Sequence, residues 1–197
     1  MRLSSQISAI NAGGSDGWDV FYRARKLIAA GQTVTDLTIG EHDIRTQRII
    51  LDAMHASAIG GHTGYAAVPG TAQLRQTVAD RVTERTGVKA SPENVQVTPG
   101  GQAALFAAFR AVCDPGDQAL FIDPYYATYP GTIRATGAVP VAVAANADAG
   151  FVPNAADLAK AAPGARALLV NSPNNPTGEV YHKAAIEGIA GVCRDHD

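Results

Sequence analysis

The sequence predicts an α/β protein with a mostly parallel sheet and helices on both faces. Short apolar runs at 119–122, 139–143 and 167–170 read as buried strands, and they alternate with longer stretches of helical spacing. Glycine- and proline-rich turns such as DPGD at 114–117 separate the two kinds of segment, which is the punctuation of β–α units. The chain has 197 residues, 46% hydrophobic and 17% charged, with a formal net charge of -2. That balance is not the composition of a disordered segment. Lys and Arg total 16 against 18 Asp and Glu, so there is no basic footprint for nucleic acid. No apolar run approaches the roughly 20 residues of a membrane-spanning helix, and MRLSSQISAI at the start is too polar for a secretory signal. Cys113 and Cys193 lack C-x-x-C spacing and read as ordinary thiols of a reducing, cytoplasmic setting. The 37 alanines inflate the apolar fraction, so the core is thin in large side chains.

Element by element, residues 1–17 read as an irregular arm, with NAGGSDG at 11–17 supplying turn chemistry. Asp16 or Gly17 is placed to cap a helix over 18–30 that Gly31 stops. A short strand is expected at 36–39. Ile49, Ile50, Ala53, Met54 and Ala58 carry helical spacing up to Gly60 and Gly61. Thr71 is a candidate cap for the next helix, whose Leu74, Val78 and Val82 share one face and which Gly87 closes. Beyond it come a strand at 95–97, a helix over 102–113, a strand at 119–122, a helix over 125–135 and a strand at 139–143. A helix over 155–162, a strand at 167–170 and a helix over 183–194 complete the pattern.

Ligands of open α/β sheets sit beyond the carboxyl ends of strands, and three such ends are unusual here. The first runs from VQV at 95–97 through Gly100 and Gly101 into a helix start, where free backbone N–H groups and the helix dipole suit a phosphate. It is neither a Walker loop nor G-x-G-x-x-G, and a purely structural turn has the same look. The second is FIDPYY at 121–126, where Tyr125 or Tyr126 can stack on a planar ligand or pack at the core edge. The third is NSPNNPTG at 171–178, in which three amides must find partners, whether in a ligand or in a solvated turn. His42, His55, His62, His182 and His196 have no metal-ligand spacing, and no G-x-S-x-G elbow is present.

Taken in this order, the three strand ends resemble the class I/II aminotransferases, pyridoxal-phosphate enzymes of fold type I. NSPNNPTG is the most specific string. LTIGE at 37–41, GYAAVPGTAQLR at 64–75, TPGGQAAL at 98–105, DPGD at 114–117 and PYY at 124–126 extend the agreement along nearly the whole chain. The resemblance implies an arm and part of a small domain over 1–41, and the first half of the large cofactor-binding domain over 42–197. It implies that Gly100, Gly101 and Gln102 form the phosphate turn, that Tyr126 stacks on the pyridine ring, and that Asn175 bonds the ring hydroxyl oxygen. Gly40 is implied to lie against the substrate carboxylate. Tyr65 is implied to reach the cofactor phosphate of a neighbouring subunit, hence a homodimer with shared sites. The substrates implied are an amino acid and a 2-oxo acid. The Asn175–Pro176 bond is expected to be cis.

The family's Schiff-base lysine, its pyridine-nitrogen aspartate and its carboxylate-binding arginine all fall after the segment that ends at Asp197. Lys26, Lys89, Lys160 and Lys183 match none of the lysine's context, so no catalytic residue is expected in this chain and a C-terminal half is expected beside it. His42 stands where the family usually has Pro, and Thr46-Gln47 where it has Thr-Pro, which leaves the substrate side unread. WDVFYR at 18–23 and the intact NPTG favour transamination. A β-lyase of the same fold and a non-catalytic binding or dimerisation fragment remain alternatives. The family topology further implies that strands 95–97 and 167–170 lack ladder partners, that only 119–122 and 139–143 pair, and that the segment is ordered only beside its other half.

Overall fold

The computed structural model describes residues 2–14 and 17–197; Asp16, one of the two cap candidates, lies outside them. Two compact units emerge, one of Met1–Lys26 with Gln102–Asp197 and one of Leu27–Gly101.

In the first unit, β1 (Gln118–Asp123), β2 (Val139–Ala144) and β3 (Ala165–Leu169) form a parallel sheet in the order β2-β1-β3. Leu120 faces Val141 across one ladder and Leu168 across the other. Strand β1 is buried on both faces because its side chains alternate into two cores. Ala119 and Phe121 join Phe109, Cys113, Tyr129, Ile133 and Leu169 under α5 (Gly101–Val112) and α6 (Tyr129–Ala135). Leu120 and Ile122 join Val143, Leu158, Ile189 and Val192 under α7 (Ala155–Ala161) and α8 (Lys183–Asp195). The expected parallel sheet with helices on both faces is therefore the fold of this unit.

Local chemistry sets the helix ends. The Asn154 carboxamide accepts from the Ala156 N–H at the start of α7, and His182 Nδ1 accepts from the Ala185 N–H at the start of α8. Helix α6 begins four residues later than the spacing suggested, since Pro124 lies in the strand-end turn and Pro130 takes the first helical turn. The short α1 (Ser5–Ser8) and the helix α2 (Trp18–Ala29) precede this sheet in the chain.

The ladder expectation needs correction in one half. Strand β3 is not isolated; it pairs with β1 from Gln118↔Ala165 to Phe121↔Leu169, because the buried central strand needs a partner on each edge. The assumed strand order was wrong at this point. Residues 95–97 do lack a ladder among the described residues. Val95 is extended, but its carbonyl accepts from Arg75 Nε, and the Val97 N–H donates to the Pro69 carbonyl. The expected strand at 36–39 is likewise absent: Asp36 Oδ1 accepts from the Thr38 N–H and hydroxyl, which makes a turn.

In the second unit, α3 (Arg48–Ile59) buries no residue, and α4 (Ala72–Thr86) ends at Gly87 in the left-handed conformation. Its inward face is Arg75, Val78, Ala79 and Thr83; of the expected stripe only Val78 turns inward, whereas Leu74 and Val82 are exposed. Arg75 bonds the Val95 and Pro92 carbonyls, Thr83 Oγ1 accepts from the Ala90 N–H, and Ala79 is fully buried. Thr71 makes no side-chain cap. Gly70 has φ +105°, and a Cβ there would sit 2.7 Å from Val97 Cγ2, so this turn requires glycine.

Cys113 is buried in the α5–α6 core, and burial, reinforced by Asp117, pushes its thiol up; Cys193 is exposed. Native alkylation is expected to modify Cys193 alone, with Cys113 reacting only after denaturation. Peptide mapping checks this, and early label on Cys113 would contradict the packing.

Candidate functional site at the strand ends

Parallel pairing puts the carboxyl ends of β1 and β3 on one edge, so residues 124–128 and 170–181 emerge side by side. Asn174 joins them. It is 6% exposed, and its Nδ2 donates to the Pro124 carbonyl (3.3 Å) and to Tyr181 Oη (3.2 Å). Its Oδ1 accepts from the Thr177 N–H (3.3 Å) and hydroxyl (3.0 Å). Its backbone donates to the Glu179 carbonyl and accepts from the Gly178 N–H. One of these side-chain bonds ties the loop to Pro124, and the others close residues 174–181 on themselves, so the carboxamide is used up inside the fold.

Asn171 is the second internally bonded amide. Oriented to satisfy both its ends, its oxygen accepts from the Asn175 N–H (3.0 Å) and Tyr129 Oη (3.2 Å), and its nitrogen donates to the Pro173 carbonyl. The Tyr129 ring meets the Tyr126 ring edge-on at 5.8 Å and 71°. Tyr129 is buried while Tyr126 is 39% exposed. Gln102 at the start of α5 bridges to the same segment: Oε1 accepts from Thr128 Oγ1 (2.9 Å) and Nε2 donates to Thr132 Oγ1.

Of the expected site residues, Gln102, Tyr126 and Asn175 thus belong to one connected assembly in the first unit. The Gln102 carboxamide is spent inside the fold, which leaves only its backbone at the helix start to face a ligand. Asn175 is exposed and its carboxamide has no partner among the described residues, and Asn175–Pro176 is cis, as expected. Gly100 and Gly101 directly precede Gln102; Gly100 has φ +86°, and a Cβ at either glycine would meet nothing within 4 Å. Gly40 and Tyr65 lie in the second unit; Gly40 has open space where a Cβ would be, and Tyr65 is fully exposed. Sequence reasoning missed Asn171, Asn174, Tyr129 and Tyr181 as individuals. The crowding of amides at 171–175 was the only signal, and it did not separate the structural ones from the outward-facing one.

Burial raises both buried tyrosine hydroxyls. Tyr126 and Tyr181 add to the effect on Tyr129. At Tyr181 the Asn174 bond opposes it and Glu179 adds to it. Neutral phenols are thus favoured in the fold. The stability they contribute is whole below the ordinary value of 10.0 and is lost as pH climbs through the raised folded values. The denaturant midpoint should fall above pH 10 and fall less in a Tyr129→Phe/Tyr181→Phe variant. Parallel pH profiles for the two proteins would contradict this.

Comparison with known proteins gives the family of the chain. The family model for aminotransferase class I and II matches residues 32–197, and the chain belongs to that family. It is 39% identical over 176 residues to a probable aspartate/prephenate aminotransferase of Thermus aquaticus, covering 89% of this chain and 46% of the relative. It is 35% identical to an arginine–pyruvate transaminase of Pseudomonas aeruginosa, across 100% of this chain and 50% of that one. The aspartate aminotransferase structure of Thermus thermophilus with maleate superposes with a TM-score of 0.93 at 37% identity, over 100% of this chain and 52% of that one. The chain spans about half the length of the curated relatives it matches. No helix among the described residues is long and apolar enough to cross a membrane.

Proposed function

We propose that this chain supplies the cofactor-binding half of a pyridoxal-phosphate-dependent aminotransferase that moves an amino group between an amino acid and a 2-oxo acid. The observation that carries the reading is the division of labour among three asparagines. Asn171 and Asn174 are bonded internally, whereas the Asn175 amide is held outward, on an assembly that also carries the part-exposed ring of Tyr126. The residues fit the cofactor. Gly100 and Gly101 leave open space at a helix start, where backbone N–H groups suit a phosphate. A ring and an amide donor suit a hydroxypyridine.

In this reading the N–H groups of Gly100, Gly101 and Gln102 donate to the phosphate, Tyr126 stacks on the ring, and Asn175 donates to the ring hydroxyl oxygen. That last bond favours the ionised hydroxyl. Bound there, pyridoxal phosphate would supply an electron-withdrawing ring for bond breaking at the α-carbon of an amino acid. Gly40 lies against the substrate carboxylate. Tyr65 reaches the phosphate held by a second copy, giving a homodimer; its full exposure and the uncovered Ile49, Ile50 and Met54 of α3 support that. Residues 42–197 are then the first half of the large domain. The free thiols fit a cytoplasmic setting and amino-acid metabolism the role.

Asn175→Ala is expected to weaken pyridoxal phosphate binding about three- to tenfold, the worth of one hydrogen bond. It should leave unchanged the binding of an analogue lacking the ring hydroxyl, both measured by titration calorimetry. Equal losses for the two ligands would contradict the assigned role. No turnover is expected from the 197 residues alone. Lys160 and Lys183 are exposed and paired with Asp157 and Glu187 on helix surfaces, Lys26 is on α2, and Lys89 is in a loop. A stoichiometric pyridoxyl adduct on any of the four after borohydride reduction would overturn that expectation.

A further inference from the structure

We infer that Tyr129 is a positioning residue that fixes, through one side chain, both groups that face the cofactor. Its ring edge supports Tyr126 at 5.8 Å. Its hydroxyl donates to Asn171 Oδ1 at 3.2 Å, and the same oxygen accepts the Asn175 N–H at 3.0 Å. A continuous path, ring to ring to hydroxyl to amide to backbone, therefore runs from Tyr126 to Asn175. Tyr129 is 7% exposed and sits at the first position of α6, packed in the core with Phe121, Ile133 and Leu169. It is tied to the rigid part of the unit, whereas Tyr126 and Asn175 stand on exposed turns. Residues that orient ligand-facing groups work by having their own conformation locked by packing and hydrogen bonds, and Tyr129 has both. Without its hydroxyl, Asn171 keeps only local contacts within 171–175, and nothing beyond the loop sets the direction of the Asn175 amide through it.

The inference rests on the cofactor reading above, and its test separates the two. Tyr129→Phe keeps the ring and removes only the hydroxyl. In the full 197-residue chain it should weaken pyridoxal phosphate binding about three- to tenfold. Binding of the analogue without the ring hydroxyl should not change. The Tyr129→Phe/Asn175→Ala double variant should bind no more weakly than Asn175→Ala, because the hydroxyl acts through that amide. Asn171→Ala, which removes the shared acceptor, should reproduce the pattern. Equal loss for both ligands, or losses that add to that of Asn175→Ala, would reduce Tyr129 to a packing residue and overturn the proposal. If the unsubstituted chain binds pyridoxal phosphate and Tyr129→Phe binds it equally well, the proposal alone fails. If the unsubstituted chain binds neither ligand, the cofactor reading fails and takes the proposal with it.

Discussion

Leu158→Ala is expected to destabilise the sheet-bearing unit by about 2–5 kcal/mol. Leu158 is 0% exposed and is the large side chain of α7, sharing one core with Leu120 and Ile122 of β1 and Val143 of β2. The unit is rich in alanine here, with Ala145 and Ala162 as buried neighbours, so few long side chains are present to relax into the space left. Typical domain stability is about 5–15 kcal/mol, and a loss of this size takes a large fraction of it. Val180→Ala, at a position 61% exposed, serves as the control and should change stability by about 0.5 kcal/mol or less. Urea titrations of the three proteins decide it, and a Leu158→Ala midpoint equal to that of the control would contradict the packing.

Asn174→Ala is the second large effect, and it acts through polar groups. The change strips the Pro124 carbonyl, the Tyr181 hydroxyl and the Thr177 N–H and hydroxyl of a shared partner. Each buried group left unpaired costs about 1–3 kcal/mol, less where water can enter. Asn174→Ala should therefore destabilise more than Asn175→Ala, even though Asn175 is the residue assigned to the ligand. Thermal unfolding of both variants without ligand tests the order. The reverse order would place the structural amide at 175 and undo the assignment.

The order of those two effects shows what the sequence could and could not reveal. The string at 171–178 marked the loop, and the resemblance singled out Asn175. Nothing in residue type separates Asn171, Asn174 and Asn175, because which amide turns inward depends on where Pro124, Tyr129 and Tyr181 arrive from elsewhere in the chain. Helices were legible where glycine stopped them, as at Gly60 and Gly87. Helix α6 was misjudged at its start because apolar spacing ran through a proline turn. The strands at 119–122, 139–143 and 167–170 were legible as apolar runs. Those at 36–39 and 95–97 had the same look but no neighbour, since a strand is a property of a pair and its partner's side-chain bonds can claim the backbone instead, as Arg75 does at Val95. The isolation expected for 167–170 failed for the complementary reason: β1 buries both its faces and accepts a partner on both edges.

The central claim is that the strand-end assembly of this chain, and no other surface, receives pyridoxal phosphate. The most direct measurement is an amide chemical-shift map of the 197-residue chain titrated with pyridoxal phosphate, with inorganic phosphate as a parallel titration. The account predicts that pyridoxal phosphate shifts the amides of Gly100, Gly101, Gln102, Tyr126, Asn171 and Asn175, and that phosphate alone shifts the first three. Shifts confined to the groove beside β3, lined by Leu158, Arg166 and Cys193, or no saturable shift at any strand end, would contradict it.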